Sequence, residues 1–285
     1  MPSALPRPVA LQLYTLRERA PDFPGILATA ADIGFAAVEP AGLHGTPPEE
    51  ARRILDDLGL EVCSSHGPLP DDDEAKARLE EHRILRSPAL FPSLHEEWFV
   101  DRDAVERAAD RFAAGAAVAA EFEIELGYHN HWWEFTNTVD GRTAYEVFLE
   151  SLVQRGVSPL LEVDLYWVQV GGADPAQLVA SLGKAVRYLH VKDGPANREE
   201  PMTALGTGRV DLPAVLGANA SVRWHVVELD RCGTDMEQAV RASYRYLVEE
   251  GYSTGGPSAE PGQSQKSKGP GSTGTPREWS RDVRG

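Results

Sequence analysis

The feature that most constrains this chain is an eightfold alternation. Short β-rich apolar runs are followed, one after another, by amphipathic helical stretches. The first unit reads as strand from Val9 to Leu16 and helix from Phe23 to Ile33, closed by Gly34. The second runs Ala36 to Glu39 and Pro47 to Leu58, closed by Gly59. Strand three is Leu60 to Ser65, with a helix from Asp73 to Leu85. Strand four is Ala89 to Leu94, before an alanine-rich helix from Asp103 to Ala120. Strand five spans Phe122 to His131 and its helix Ala144 to Gln154. Strand six starts the stretch Pro159 to Val170, and Pro175 to Leu182 is its helix. Strand seven is Val186 to Lys192, with a short helix at Leu212 to Leu216. Strand eight is Val222 to Leu229, and the helix Met236 to Glu249 closes the series. Strands alternating with helices build a parallel sheet, and eight such units close it into a (β/α)₈ barrel, for which 285 residues is the usual size. Glycine just past the first two helices fits the left-handed cap that ends a helix.

From Ser253 to Gly285 the composition turns to Gly, Pro, Ser, Gln and Lys. Such a segment buries too little apolar surface to offset the entropy of ordering, so the expected division is a barrel over 1–252 and a disordered tail over 253–285. No apolar run approaches the ~20 residues that span a bilayer, so no membrane partner is expected. The start of the chain lacks the pattern of a signal peptide. The net charge of −16 repels phosphate backbones, and no basic groove is legible, so nucleic acid is not an expected partner. Two widely separated cysteines, Cys63 and Cys232, read as buried thiols in a reducing cytoplasm rather than as a disulfide framework.

Barrel strands are covered on both faces, so their polar residues are informative. Here acids and histidines gather at strand C-terminal ends, which ring the one mouth where barrel active sites sit. Strand two ends in Glu39 and strand three in Ser64-Ser65-His66. Strand five ends in His129-Asn130-His131, with Glu134 beyond, and strand six carries Glu162 and Asp164 before Tyr166-Trp167. Strand seven ends in His190-Val191-Lys192-Asp193 and strand eight in Glu228-Leu229-Asp230. A buried carboxylate without a cation is costly, which makes Asp164, set in an apolar run, a ligand candidate together with His190 and Glu228. His, Asp and Glu without Cys suit Mn²⁺, Mg²⁺, Co²⁺ or Zn²⁺. Glu162 shares the parity of Asp164 and lies deeper, where a structural role competes with a functional one. His225 has the opposite parity and reads as a packed or surface residue.

Four segments, Gln12 to Arg17, Gly127 to His131 with Glu134-Phe135, Asp164 to Trp167, and His190 to Asp193, resemble the sugar phosphate isomerase/epimerase family. That family belongs to the xylose isomerase-like barrel superfamily, which also holds inosose dehydratase, the ketose 3-epimerases and endonuclease IV. The resemblance runs from about Val9 to Leu247. It implies a divalent metal, Mn²⁺ first, held from strands five to eight, and a small sugar or polyol as substrate; a homo-oligomer is left open. Asp164, His190 and Glu228 match three of the family's ligands. On strand five the relatives carry a ligating Glu where this chain has His129-Asn130-His131, so His129, His131 and Glu134 compete for the fourth place, with His129 and His131 ahead. The implied chemistry is isomerisation or epimerisation through an enediolate. Glu228 or Glu134 would handle the proton, His131 would assist, and Lys192 would stabilise developing negative charge or pair with Asp193 or Asp164. His66, Trp132, Tyr166 and Trp167 are the candidate substrate contacts, with Trp133 as a further aromatic face. A lyase acting on a keto-inositol or 3-keto-glycoside uses the same residues. An endonuclease-like phosphodiesterase and a catalytically silent barrel are the remaining readings.

Overall fold

In a computed structural model that describes residues 6–256, the alternation closes into a barrel of parallel strands. The strands are β1 (Arg7–Gln12), β2 (Ala37–Glu39), β3 (Glu61–Val62), β4 (Ser65–Gly67), β5 (Ala89–Pro92), β6 (Glu125–His129), then β9 (Leu160–Asp164), β10 (Val186–Val191) and β11 (Trp224–Val227). A small antiparallel hairpin, β7 (Thr138–Val139) and β8 (Arg142–Thr143), lies outside the barrel wall. β3 and β4 are two halves of one stave, broken at Cys63-Ser64. β3 pairs with β2 and β4 with β5, so this stave joins its two neighbours. The remaining order is β5, β6, β9, β10, β11, β1, β2, all parallel.

The helices are α1 (Phe23–Ile33), α2 (Pro48–Leu58), α3 (Asp73–Ala77), α4 (Leu79–Ile84), α5 (Arg102–Glu121), α6 (Trp133–Thr136), α7 (Ala144–Gln154), α8 (Leu165–Val170), α9 (Pro175–Leu182), α10 (Leu212–Leu216) and α11 (Met236–Glu249). Gly34 and Gly59 take the left-handed conformation at the ends of α1 and α2, with φ of 107° and 68°. Thr143 and Glu146 form a reciprocal capping box that starts α7.

Three expectations change. The single helix from Asp73 to Leu85 divides at Arg78 into α3 and α4. Strand six stops at Asp164, and the apolar run beyond it is α8, because the Asp164 carboxylate accepts the Trp167 N–H at 2.9 Å and so caps a new helix. The expected tail begins too early. Ser253–Thr254 forms β12, a parallel partner of β1, and Ser253 Oγ lies 2.9 Å from His225 Nδ1. The barrel therefore extends past 252, and the tail from 257 onward lies outside the described residues. Both cysteines are free thiols; Cys63 is buried as expected, but Cys232, in the loop after β11, is only half-buried. Among the described residues no helix is long and apolar enough to cross a membrane.

His225 is packed, as its parity implied, at 2% exposure. Burial, aided by Arg7, lowers its pKa from near 6.5 to about 3. The folded protein then binds fewer protons than the unfolded chain between those values, so stability present above pH 6.5 is lost as pH falls. The expected loss from this one residue is roughly 2 kcal/mol by pH 5. Urea unfolding across pH 7.5 to 5 should show a shallower decline for His225→Gln than for the wild type. Equal slopes would place the acid sensitivity elsewhere.

Candidate metal centre

Register assembles the centre. His190 on β10 is the lateral partner of Asp164 on β9, and His129 on β6 is the partner of Glu162. Gln12 on β1 is the partner of Glu39 on β2. All lie at the C-terminal mouth, and Glu228 follows directly on β11. One ligand atom each from Asp164, His190 and Glu228 falls within 4.8 Å of the others. All three residues are buried, Glu228 at 6% exposure.

Each imidazole is oriented by a carboxylate behind it. His190 Nε2 lies 2.7 Å from Glu39 Oε1, which leaves Nδ1 facing the Asp164 and Glu228 side. Glu39 is fixed in turn by the Gln12 amide at 2.6 Å and by the Ser64 hydroxyl. His129 Nδ1 lies 3.1 Å from Glu162 Oε2, while its Nε2 is 3.9 Å from Asp164 Oδ2. His66 Nε2 meets the same Glu162 oxygen at 2.6 Å. His66, His129, Glu162 and His190 thus form a second tight group that shares His190 with the first. A carboxylate bonded to one ring nitrogen and a free second nitrogen is the arrangement of a metal-bound histidine.

Two atoms test whether a metal fits. Asp164 Oδ2 and His190 Nδ1 are buried, and among the described residues neither makes a hydrogen bond of proper geometry. Yet Lys192 Nζ sits 2.8 Å from the first, and Glu228 Oε2 is 2.7 Å from the second. Close approach without alignment is what ligand atoms show when they aim at a common point. Charge agrees. Buried Asp164 and Glu228 and half-buried Asp230 each contact the Lys192 ammonium, while two further buried carboxylates, Glu39 and Glu162, lie against His190. The O, N, O donor set with further imidazoles suits a divalent ion.

The protonation pattern follows from these contacts. Burial raises the Asp164 carboxyl, more than Lys192 lowers it. Burial acts the same way on Glu228, but Lys192 and His190 outweigh it and hold that group well below the carboxylate range. Glu39 is likewise held at about 2 against burial, by His66 and His190. Burial and Glu39 raise Glu162. Burial, with His190 and His66, keeps His129 neutral. Without a metal, Glu162, Glu228 and Glu39 overcome burial and raise His190 well above its ordinary value.

Above the centre opens a cavity of ≈ 560 Å³, the size of a small-molecule site. Its walls include His66, His129, His131, Trp167, Lys192 and Glu228, six of the residues expected at the site. Three others are placed elsewhere. Glu134 is fully buried; its carboxylate accepts the Tyr128 hydroxyl at 2.8 Å and the His131 N–H at 2.9 Å, so the one-turn helix α6 folds it behind β6 rather than into the cavity. Tyr166 is buried and donates its hydroxyl to Asn197 O at 3.0 Å, holding the loop after β10. Trp132 packs against Trp167, with ring centroids 4.7 Å apart, under the Arg198 guanidinium. Trp133 stacks on the His131 ring at 4.1 Å.

Three residues of the centre carried no individual role in the sequence pattern: Gln12, and the strand-end acids Glu39 and Asp230. The signal for Asp230 was present, since it shares the parity of Glu228 across Leu229. Tyr14 was also missed. It is 44% exposed at the mouth and held face-on by the Arg17 guanidinium at 4.1 Å.

Residues 27–247 match a family model described as the xylose isomerase-like TIM barrel. Among solved structures, a sugar phosphate isomerase/epimerase from Parabacteroides distasonis is 21% identical, with a TM-score of 0.71, over 87% of this chain and 97% of that one. D-allulose 3-epimerase from Methylomonas sp., in complex with D-allulose, is 14% identical, with a TM-score of 0.61, over 87% and 99%. An IolI protein with a bound zinc atom is 12% identical, with a TM-score of 0.63, over 85% and 97%. At such identities the likeness is one of fold. No curated protein matches the chain by sequence.

Proposed function

Because the chain belongs to the xylose isomerase-like TIM barrel family, we propose that it is a divalent-metal-dependent isomerase or epimerase acting on a sugar or keto-sugar. The observation that carries this reading is the convergence of Asp164, His190 and Glu228, with His190 pinned from behind by Glu39 and Glu228 also lining a sugar-sized cavity. Those three residues would hold the ion, and His129 offers a fourth donor through Nε2. His131 and Glu134 give way to His129 for that place, because Glu134 is spent on Tyr128 and the His131 N–H. Mn²⁺ remains the first choice, with Mg²⁺, Co²⁺ and Zn²⁺ compatible with the same donors. Bound there, such an ion supplies Lewis acidity toward a carbonyl oxygen and its neighbouring hydroxyl.

The protein's residues then divide the work. The Glu228 carboxylate reaches the cavity and takes the proton from the carbon beside the carbonyl. The imidazoles of His66 and His131, also on the cavity wall, stand ready to return a proton. Lys192 contributes positive charge where negative charge develops on the substrate. Trp167 and Tyr14 offer ring faces to the apolar side of a sugar. Asn130 ties the ends of β6 and β9 together, its amide bonded to both Asp164 O and Asp164 N, and so fixes His129 relative to Asp164.

One observation favours a lyase as the second reading. His66, His129 and His131 place several imidazoles on the cavity wall, and an elimination needs an acid for its leaving group. The test joins elemental analysis with incubation of keto-sugars and inososes in D₂O, followed by NMR and mass spectrometry. An isomerase or epimerase should place deuterium on the carbon next to the carbonyl with the molecular formula otherwise kept. Loss of water or an aglycone would replace this reading with the lyase. Absence of bound metal, and of any response to Mn²⁺, would sink both.

A further inference from the structure

Lys192 leaves the end of β10 two residues after His190 and is buried at 1% exposure. Its Nζ lies 2.8 Å from Asp164 Oδ2, 2.7 Å from Glu228 Oε2 and 2.8 Å from Asp230 Oδ2. Asp164 and Glu228 are also two of the three residues that form the candidate ligand group with His190. Asp230 stands outside that group, and its side chain is 30% exposed toward the cavity. All three are close ion pairs, and of them the Asp230 contact is also an aligned, charge-assisted hydrogen bond. A divalent ion such as Zn²⁺ draws carboxylate oxygens in to about 2.0–2.2 Å. An ammonium and a divalent ion serving the same two carboxylates would lie within a few ångströms of each other in a water-poor site, where repulsion between them is strong. The lysine stem is flexible, and Asp230 offers its ammonium a seat nearer the cavity.

We infer that Lys192 is the exchangeable cation of this centre: it bridges Asp164, Glu228 and Asp230 when no metal is bound and keeps Asp230 alone when a divalent ion enters. The inference rests on the metal reading above and concerns how that site is filled. It accounts for a feature that reading leaves open, namely why a centre rich in carboxylates also carries a buried lysine at its middle. The acidic groups are compensated in both states. Loading the site also moves the ammonium to the cavity side of Asp230, where a substrate oxygen can meet it.

The test measures Mn²⁺ binding by calorimetry to the purified chain, to Lys192→Met and to Asp230→Asn. It adds crystal structures of the wild type with and without Mn²⁺. Lys192→Met should bind Mn²⁺ roughly tenfold tighter or more, and should gain more in Tm from Mn²⁺ than the wild type does. Asp230→Asn should bind it more weakly, having lost the alternative seat. In the Mn²⁺-loaded wild type, Nζ should lie beyond hydrogen-bond distance of Asp164 Oδ2 while still within reach of Asp230. Unchanged or weaker binding by Lys192→Met overturns the inference and leaves the metal reading standing, as does an Nζ still paired at the same distances with both Asp164 and Glu228 beside the bound ion. If no variant and no wild type binds Mn²⁺, the metal reading falls, and this inference with it. Should Lys192→Met fail to fold, the Asp230→Asn affinity and the loaded crystal structure decide.

Discussion

Asp164→Asn is expected to leave the barrel folded and to remove metal binding, with activity falling in step. The clean separation comes from the two oxygens of one side chain. Oδ1 accepts the Trp167 N–H and starts α8, and an asparagine oxygen can keep that bond. Oδ2 has no aligned hydrogen-bond partner among the described residues and faces the His190 and Glu228 side. Replacing it by an amide nitrogen removes one charged donor from a set of three. Substitution of an orienting group behind a ligand typically lowers metal affinity by about 10- to 100-fold, and loss of a ligand itself should exceed that. Glu39→Gln supplies the comparison, because Glu39 holds His190 Nε2 without joining the ligand group. It should fall within the smaller range. Calorimetric titration with Mn²⁺ and circular dichroism on both variants check this. Undiminished affinity in Asp164→Asn would remove Asp164 from the metal site.

Asp193→Ala should give the largest loss of stability. This carboxylate, 1% exposed, follows Lys192 in sequence but turns away from it. Its Oδ1 accepts the N–H groups of Gly194 and Val210, at 2.8 and 3.2 Å. Its Oδ2 accepts those of Gly206 and Gly208, both at 2.9 Å. Four backbone donors thus close the long loop after β10 around one charge. The loop fits so tightly that a Cβ on Gly208 would fall 2.0 Å from Asp193 Oδ1 and 2.2 Å from the Gly194 nitrogen. Truncation leaves four donors without their acceptor. Hydrogen bonds to a charged group contribute about 1.5–3 kcal/mol each and do not add fully, so a loss of about 3–5 kcal/mol is expected. That is a large fraction of a typical domain's stability of about 5–15 kcal/mol. Urea unfolding should report it, and hydrogen exchange at Gly206, Gly208 and Val210 should accelerate. A loss below about 1 kcal/mol would mean that water replaces the carboxylate at little cost.

The helices were the most legible part of the fold. α1, α7, α9, α10 and α11 begin and end at the residues their apolar spacing indicates. Their periodicity is local, and their stops are written in glycines and capping side chains. Strand ends were less legible. The expected strand from Phe122 to His131 shortens to Glu125–His129, because Glu123 takes a left-handed conformation, φ 60°, while the chain leaves α5. The run Leu165 to Val170 hid a helix, since an apolar helix buried on most sides carries no more alternation than a buried strand does.

The same contrast holds at the site. Asp164, His190 and Glu228 stood out because polarity at the end of an apolar strand is a local signal whose direction the barrel fixes. Glu134 misled because its sequence neighbourhood says nothing of where one short helical turn points. Its donors, the Tyr128 hydroxyl and the His131 N–H, decide that only in three dimensions. The Lys192 contacts were half visible. Asp164 was one of two expected partners, but Glu228 and Asp230 arrive from another strand end, and the adjacent Asp193 is spent on its loop.

His190 belongs to both groups of ligand-type residues. One nitrogen faces Asp164 and Glu228, and the other faces Glu39 and Glu162. Its ring therefore transmits a change in charge between the two compartments, with His129, which faces Glu162 through Nδ1 and Asp164 through Nε2, as a second and looser link. Free energies of substitution in the two compartments should consequently fail to sum. A double-mutant cycle pairing Glu39→Gln with Glu228→Gln would carry a coupling term, although no bond joins those two carboxylates.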